Sequence, residues 1–568
     1  MRHSKRLILA ITFLAFVSLS ATQPEPADLI LAHTQLWTAE ADTPWAEAMA
    51  IKNGKIVYVG SSKNAEAYRG PNTNWIELKD RLVVPGFNDS HIHMMGGALS
   101  LDRVDLIEDQ TLQAIQNRIR KFAKENPNRP WVLGRGWFYS AFPDKLPTKE
   151  QLDAVVPDRP AYMDCYDGHT GWANSAALKL AGITKDTKDP EDGQIVRDPV
   201  TGEPTGALKE AAQSLVDSKI PVPDEETTYQ LLLRAFEVLN SNGITSVQDA
   251  NVSLQELDRT LRLFERAKAE GKMTVRIIAA VGMEQDNFAK AISEAKRLAQ
   301  THTSDPLRFG TVKGYVDGVI EAKTAAMLEP YDGSTERGNL NWDSEKLKEA
   351  VVLADKNGLQ VYLHAIGDGG VRAALDAYEA ALQKNGPTDR RGRVEHIETI
   401  AQSDYERFKT LGVIASMQPL HADPNQNIFD VWAKNAGPER SKRSFSWGNF
   451  EKVKVPLTFG SDWPVVTSDV RRGLYCAITR KTREGKPAGG WHPELAVSPE
   501  NALRHYTIDA AYASFDEKNK GSLKPGKFAD VTVLSQNFLK MQPEEVLKTK
   551  VMLTIFEGKI VYRNKELL

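Results

Sequence analysis

Four histidines, one aspartate and one lysine are spaced so that a single site could collect them: His91, His93, Lys313, His364, His396 and Asp462. His91 and His93 stand two apart, and in extended backbone residues i and i+2 project to the same side. Two imidazoles facing one point can grip a divalent metal. His364 and His396 add nitrogen and Asp462 adds carboxylate oxygen. Three or more neutral imidazoles with a carboxylate suit Zn²⁺ or a similar ion. A lone His-X-His reads equally well as a surface pair, so the case turns on what brings the other groups to it.

The apolar run 82–84 reads as a buried first strand that Pro85-Gly86 breaks, which puts His91 and His93 just after it. Further strand candidates are 243–249, 275–281, 309–316, 359–364, 392–396, 413–417 and 455–459. Helical periodicity fills most of the intervals, as at 347–356 and 371–382. Eight β-α repeats favour an α/β fold of the closed (β/α)8 TIM-like barrel type over an open doubly wound sheet. Chemistry in such barrels gathers at the carboxyl ends of the strands. Lys313 falls in the fourth candidate, His364 ends the fifth, His396 ends the sixth and Asp462 follows the eighth.

The gap at about 100–240 exceeds one helical connection and holds its own hairpin-like runs, so it reads as an insertion after the first barrel strand. Both chain ends are β-rich. Asn53-Gly54 between apolar runs is a strong hairpin signal, and 551–562 reads as another hairpin. Lys55-Ile-Val-Tyr58 and Lys559-Ile-Val-Tyr562 are the same tetrapeptide, each just after a glycine. We expect a small β-sandwich domain built from both termini, 23–85 and 506–568, around a barrel at 86–505.

Residues 1–22 read as a secretory signal peptide: Arg2, Lys5 and Arg6, then an uncharged run at 7–19, then small residues. That run is shorter than a membrane span of about 20 residues, so a secreted or periplasmic chain without a membrane segment is expected after processing. Losing three basic residues takes the net charge from −3 to −6. A mildly acidic chain with no basic block argues against a nucleic-acid partner. Cys165 and Cys476 are the only cysteines; sequence cannot pair them, and two buried thiols are the expectation.

The ligand series on an eight-strand pattern resembles the metal-dependent amidohydrolase superfamily over nearly the whole mature chain. More narrowly it is similar to the YtcJ-like, or N-substituted formamide deformylase-like, branch (amidohydrolase family 3). The stretches that carry this are Pro85-Gly-Phe-Asn-Asp-Ser-His-Ile-His93, Asp167-Gly-His-Thr-Gly-Trp-Ala-Asn174, Asp198-Pro-Val-Thr-Gly-Glu-Pro-Thr-Gly206, Val361-Tyr-Leu-His-Ala-Ile-Gly-Asp368 and Gly460-Ser-Asp-Trp-Pro464.

The resemblance implies one or two divalent ions, zinc foremost, held by His91, His93, His364, His396 and Asp462. Lys313 is either carboxylated on Nζ to join them or an ammonium paired with Asp317. It further implies hydrolysis of an amide, N-acyl or formamide-like C–N bond, with Asp462 as general base and acid. An ester, carbamate or cyclic amide, or a silent binding or regulatory role on the same scaffold, stands as the alternative. Asp89 and Asp368 are candidates to orient ligating imidazoles, although Asp368 serves equally as a helix cap. Strand alternation would turn Glu395 away from the site. His169, Trp172, Gln418, His421 and Trp463 are the candidate contacts to a small-molecule substrate, and a homodimer is left open.

Overall fold

The computed structural model describes residues 24–143 and 145–567. The signal-peptide reading of 1–22 therefore lies outside the described residues. Strands β1 (Leu29–Ala32), β2 (Gln35–Trp37), β3 (Trp45–Ala46), β4 (Ala48–Lys52), β5 (Lys55–Gly60), β6 (Asn74–Glu77) and β7 (Leu82–Pro85) open the chain. Asn53 and Gly54, both at positive φ (50° and 74°), turn β4 into β5 as the Asn-Gly pair requires.

The first barrel strand is β8 (Phe87–Ile92), one step beyond the apolar run 82–84. That run corrects our expectation: as β7 it pairs with β2, inside the small domain. The insertion follows as β9 (Val104–Asp105), β10 (Val132–Trp137), β11 (Ala161–Cys165), β12 (Thr170–Ala173), β13 (Gly193–Arg197) and β14 (Pro204–Glu210), a six-stranded sheet in the order β13-β14-β12-β11-β10-β9. It buries a core of its own around Trp137, Met163 and Trp172.

The barrel resumes with β15 (Ile244–Val252), β16 (Arg276–Gly282), β17 (Leu307–Tyr315), β18 (Gln360–Ala365), β19 (Arg393–His396), β20 (Ile414–Met417) and β21 (Leu457–Phe459). Together with β8 they form an eight-stranded parallel sheet in sequence order. Helices such as Ser344–Lys356 and Asp368–Asn385 wrap it with their apolar faces inward. The sheet closes just past its strand ends through a parallel bridge between Ile92 and Trp463. There the Asp462 N–H donates to the His91 carbonyl (2.7 Å) and the His93 N–H to the Trp463 carbonyl (2.8 Å).

The chain ends in β22 (Val531–Leu534), β23 (Val551–Phe556) and β24 (Lys559–Arg563). These join β7, β2 and β3 in a six-stranded sheet packed beside the four-stranded β5-β4-β1-β6 sheet over a shared apolar core. The fold is thus a (β/α)8 barrel with an extra sheet domain drawn from both ends. Arg276 of β16 docks the two: Nε lies 2.7 Å from Asp530 Oδ2, and the guanidinium stacks 3.7 Å from the Phe528 ring. No helix of the described residues is long and apolar enough to cross a membrane.

Candidate metal centre

The carboxyl ends of five barrel strands, β8, β17, β18, β19 and β21, carry the series. His91 sits inside β8 and His93 just after it, at the start of helix Met94–Ser100. Their rings stand 5.4 Å apart, and the His396 ring lies 4.8 Å from His91 and 4.6 Å from His364. Asp462 enters from the loop after β21: Oδ1 lies 3.1 Å from His93 Nε2 and 3.5 Å from His91 Nε2. One donor atom each from His91, His396 and Asp462 fall within 4.8 Å of one another. His396 and Asp462 both hold positive φ (74° and 60°), a backbone cost that functional sites commonly carry.

The donor chemistry fits a cation. His91 Nε2, Asp462 Oδ1 and Lys313 Nζ are buried polar atoms with no hydrogen-bond partner, and such atoms are rare unless something else satisfies them. Burial, then the charge of Lys313, pushes His91 down to about 4 and His364 to about 3, which keeps both imidazoles in the neutral, ligating form. Burial would raise the Asp462 carboxyl, but His91, His93 and His396 outweigh it and hold the group ionised.

Lys313 is sealed from solvent and makes no ion pair with Asp317. That carboxylate instead accepts the N–H groups of Ile366 (3.0 Å), Gly367 (2.9 Å) and Ala326 (2.9 Å). The Lys313 amine lies 4.6 Å from the centre of the Tyr315 ring, and burial pushes it down to about 8.

Around these groups the structure departs from several expectations. Glu395 does not turn away: its Oε2 lies 2.6 Å from His91 Nδ1. Arg393 grips the same carboxylate from below through Nε (2.8 Å) and Nη2 (3.0 Å). Asp89 orients backbone rather than an imidazole, accepting the N–H groups of His91 (3.2 Å) and Ser461 (2.8 Å). Asp368 accepts the Leu328 N–H (2.8 Å) and touches no ligating ring.

A cavity of about 890 Å³ opens over the centre. His169 and His421 line it; Trp172, Gln418 and Trp463 do not. Trp172 is fully buried in the insertion core, its indole N–H donating to the Thr148 carbonyl (2.8 Å). Gln418 Oε1 faces His396 Nδ1 at 2.9 Å and so fixes that ring instead of a substrate. The Trp463 ring packs against Gly97, where a Cβ would meet it at 2.1 Å. His421 stacks on His396 (centroids 5.6 Å, 7° between planes), with Nε2 3.5 Å from Asp462 Oδ2.

Asp249, opposite Ile92 on β15, is a further buried acid that the spacing of the histidines does not point to. It is a buried carboxyl that accepts the Met94 N–H (3.3 Å), and its place near a strand end was the available signal. Cys165 and Cys476 are free, buried thiols.

An eight-stranded parallel barrel with histidines and an aspartate gathered at its strand ends defines a class of metal-dependent hydrolases. The chain belongs to the amidohydrolase family, whose model matches residues 74–562. It is 30% identical over 526 residues to the putative amidohydrolase YtcJ of Bacillus subtilis, covering 91% of this chain and 96% of that one. It is 29% identical over 550 residues to N-substituted formamide deformylase of Arthrobacter pascens, covering 94% and 98%. Among solved structures, a metal-dependent hydrolase from Pyrococcus horikoshii superposes with a TM-score of 0.70 at 27% identity, covering 91% of this chain and 99% of that one.

Proposed function

We propose that the protein hydrolyses a C–N bond of amide, N-acyl or formamide type in a small molecule. The observation that carries this is the meeting of neutral imidazoles and the Asp462 carboxylate, with unpartnered donor atoms, at the floor of a roomy cavity. The likeness to a formamide deformylase supports the bond type. His91, His93, His364, His396 and Asp462 would hold the ion, and zinc suits that donor set. Such an ion, when bound, acidifies water towards neutrality and polarises a carbonyl.

Asp462, ionised and reachable from the cavity, accepts a proton at its carboxylate and returns it to the leaving nitrogen. Gln418 and Glu395 hold the His396 and His91 rings so that their free nitrogens face the centre. Lys313 is a buried amine with no partner. Its nitrogen attacks CO₂, forming a C–N bond and losing a proton, and the resulting carbamate supplies the anionic oxygens an ammonium cannot.

The test is turnover by the metal-loaded protein on a panel of N-formyl and N-acetyl amines, linear amides and esters, with metal content measured in parallel. We expect hydrolysis of amide members and a fall in kcat of about 10²–10⁴ in Asp462→Asn with the circular dichroism spectrum unchanged. Activity confined to esters, or an Asp462→Asn variant at full rate, overturns the reading.

A further inference from the structure

Resting on that hydrolase reading, we propose that the cavity contains a second subsite, beside the histidines, that seats a positively charged amino group of the substrate between Asp167, Glu321 and Glu398. All three carboxylates line the cavity. Among the described residues, no lysine or arginine nitrogen lies within 4.0 Å of their carboxylate oxygens; His421 Nδ1 is 3.8 Å from Glu398 Oε1. His169, held by Glu210 (Nδ1 to Oε2, 2.9 Å) and, despite burial, kept basic by Glu210, Asp167 and Glu321 together, is one imidazolium shared among three carboxylates and leaves the wall net acidic. At the rim, Arg472 is paired with Glu108.

A second observation points the same way. Asn427 is 2% exposed and lines the cavity. Its Nδ2 donates to the Tyr166 hydroxyl (3.1 Å), and that hydroxyl donates to Glu321 Oε1. Asn427 Oδ1, buried on the same wall, has no partner. Asp167 is left in the same state: Oδ1 accepts the His169 N–H (2.9 Å) while Oδ2 accepts nothing.

A wall with surplus acceptors calls for a group that only donates, and an ammonium offers three donors and no acceptor. The Phe138 and Tyr166 rings, 4.7 Å apart and both on this wall, add aromatic faces that attract cations. Glu321 shows the cost of the uncompensated cluster: burial, Glu398 and Asp167 push its carboxyl up to about 8.

The experiment compares N-formyl amines that differ only at the far end of the chain, which carries an ammonium, a methyl or a carboxylate, with four, six or eight methylenes between. We expect the ammonium series to lead in kcat/KM by about tenfold or more at its best length, the worth of one charge-assisted hydrogen bond. The lead should shrink as ionic strength rises and fall towards unity in Glu321→Gln and in Asp167→Asn. A methyl series that equals or exceeds the ammonium series overturns the subsite.

Calorimetry with 1,6-diaminohexane and 1,6-hexanediol on the metal-loaded protein separates this from the hydrolase reading. Selective binding of the diamine that weakens in either variant supports the subsite even if none of the amides turns over, a result that would sink the C–N reading alone. Equal binding of diamine and diol, or diamine binding unchanged in both folded variants, overturns the subsite whatever the turnover.

Discussion

His91 Nδ1 and Glu395 Oε2 lie 2.6 Å apart with both side chains sealed from solvent. The carboxylate accepts a hydrogen bond from Nδ1–H and leaves Nε2 free to face the centre. Arg393 beneath it holds Glu395 as an anion, and its own charge is spread over Ser90 O (2.6 Å), Ser416 Oγ (2.9 Å) and the face of Tyr362 (3.7 Å). Replacing Glu395 by Gln should weaken metal affinity by about 10–100-fold, read by competition with a chelator. Unchanged affinity would show that the pair plays no part in holding the metal.

The proposed carboxylation of Lys313 would have a direct spectroscopic signature. Protein loaded with metal in ¹³C-bicarbonate should show a carbamate carbonyl resonance that is absent from Lys313→Ala. The same resonance persisting in the variant would assign it elsewhere.

The buried imidazoles make the metal-free protein sensitive to acid. His91 and His364 titrate at about 4 and about 3 in the folded chain against an ordinary value of 6.5. Between those limits the unfolded chain binds more protons, so stability is fully present above pH 6.5 and is lost as pH falls towards 4 and 3. At pH 5 the loss is about 2 kcal/mol for each ring. Urea midpoints of the metal-stripped protein at pH 7 and pH 5 measure it, and equal midpoints would contradict the burial assigned to these rings.

Trp172 and His421 were candidates of the same kind and should now behave differently. Trp172→Ala empties a fully buried position and should cost about 3–5 kcal/mol of stability. His421→Ala should leave the melting temperature nearly unchanged while lowering kcat/KM, because that ring lines the cavity with Nε2 3.5 Å from Asp462 Oδ2. Thermal melts beside kinetics separate the two outcomes.

Gly460 lies where β21 meets β8. A Cβ there would come within 2.5 Å of the His91 nitrogen. Gly460→Ala should therefore cost about 1–3 kcal/mol and loosen metal binding together with it. Crystallographic or solution data showing an undisturbed seam in this variant would refute the close approach.

His364 is legible because it caps the apolar run Val361-Tyr-Leu, and His396 because it falls one β-α unit further on. The strand carrying His91 is not: Phe-Asn-Asp-Ser-His-Ile holds four consecutive polar residues that are all buried, and periodicity rules expect polar groups to face water. The neighbouring run 82–84 looked more like a barrel strand and belongs to the other domain. Glu395 was misplaced for a backbone reason. Alternation would send it and His396 to opposite faces, but positive φ at His396 and Ile397 swings the histidine back inward. The burial of Trp172 is not legible from its motif, which shows residues side by side in the chain and not which of them face the solvent.

The seam at Ile92 and Trp463 sets an order of events in the life of the chain. The hydrogen bonds of Asp462 to His91 and of His93 to Trp463 join segments from opposite ends of the barrel. During synthesis, the first histidine pair is therefore made long before its aspartate exists, and the pocket can form only after the eighth strand has emerged. The small domain waits longer still, since β7 gains its partner β22 only when residues 531–534 are made. A metal held by His91 and Asp462, one from each side of the seam, would fasten the ring once it has closed.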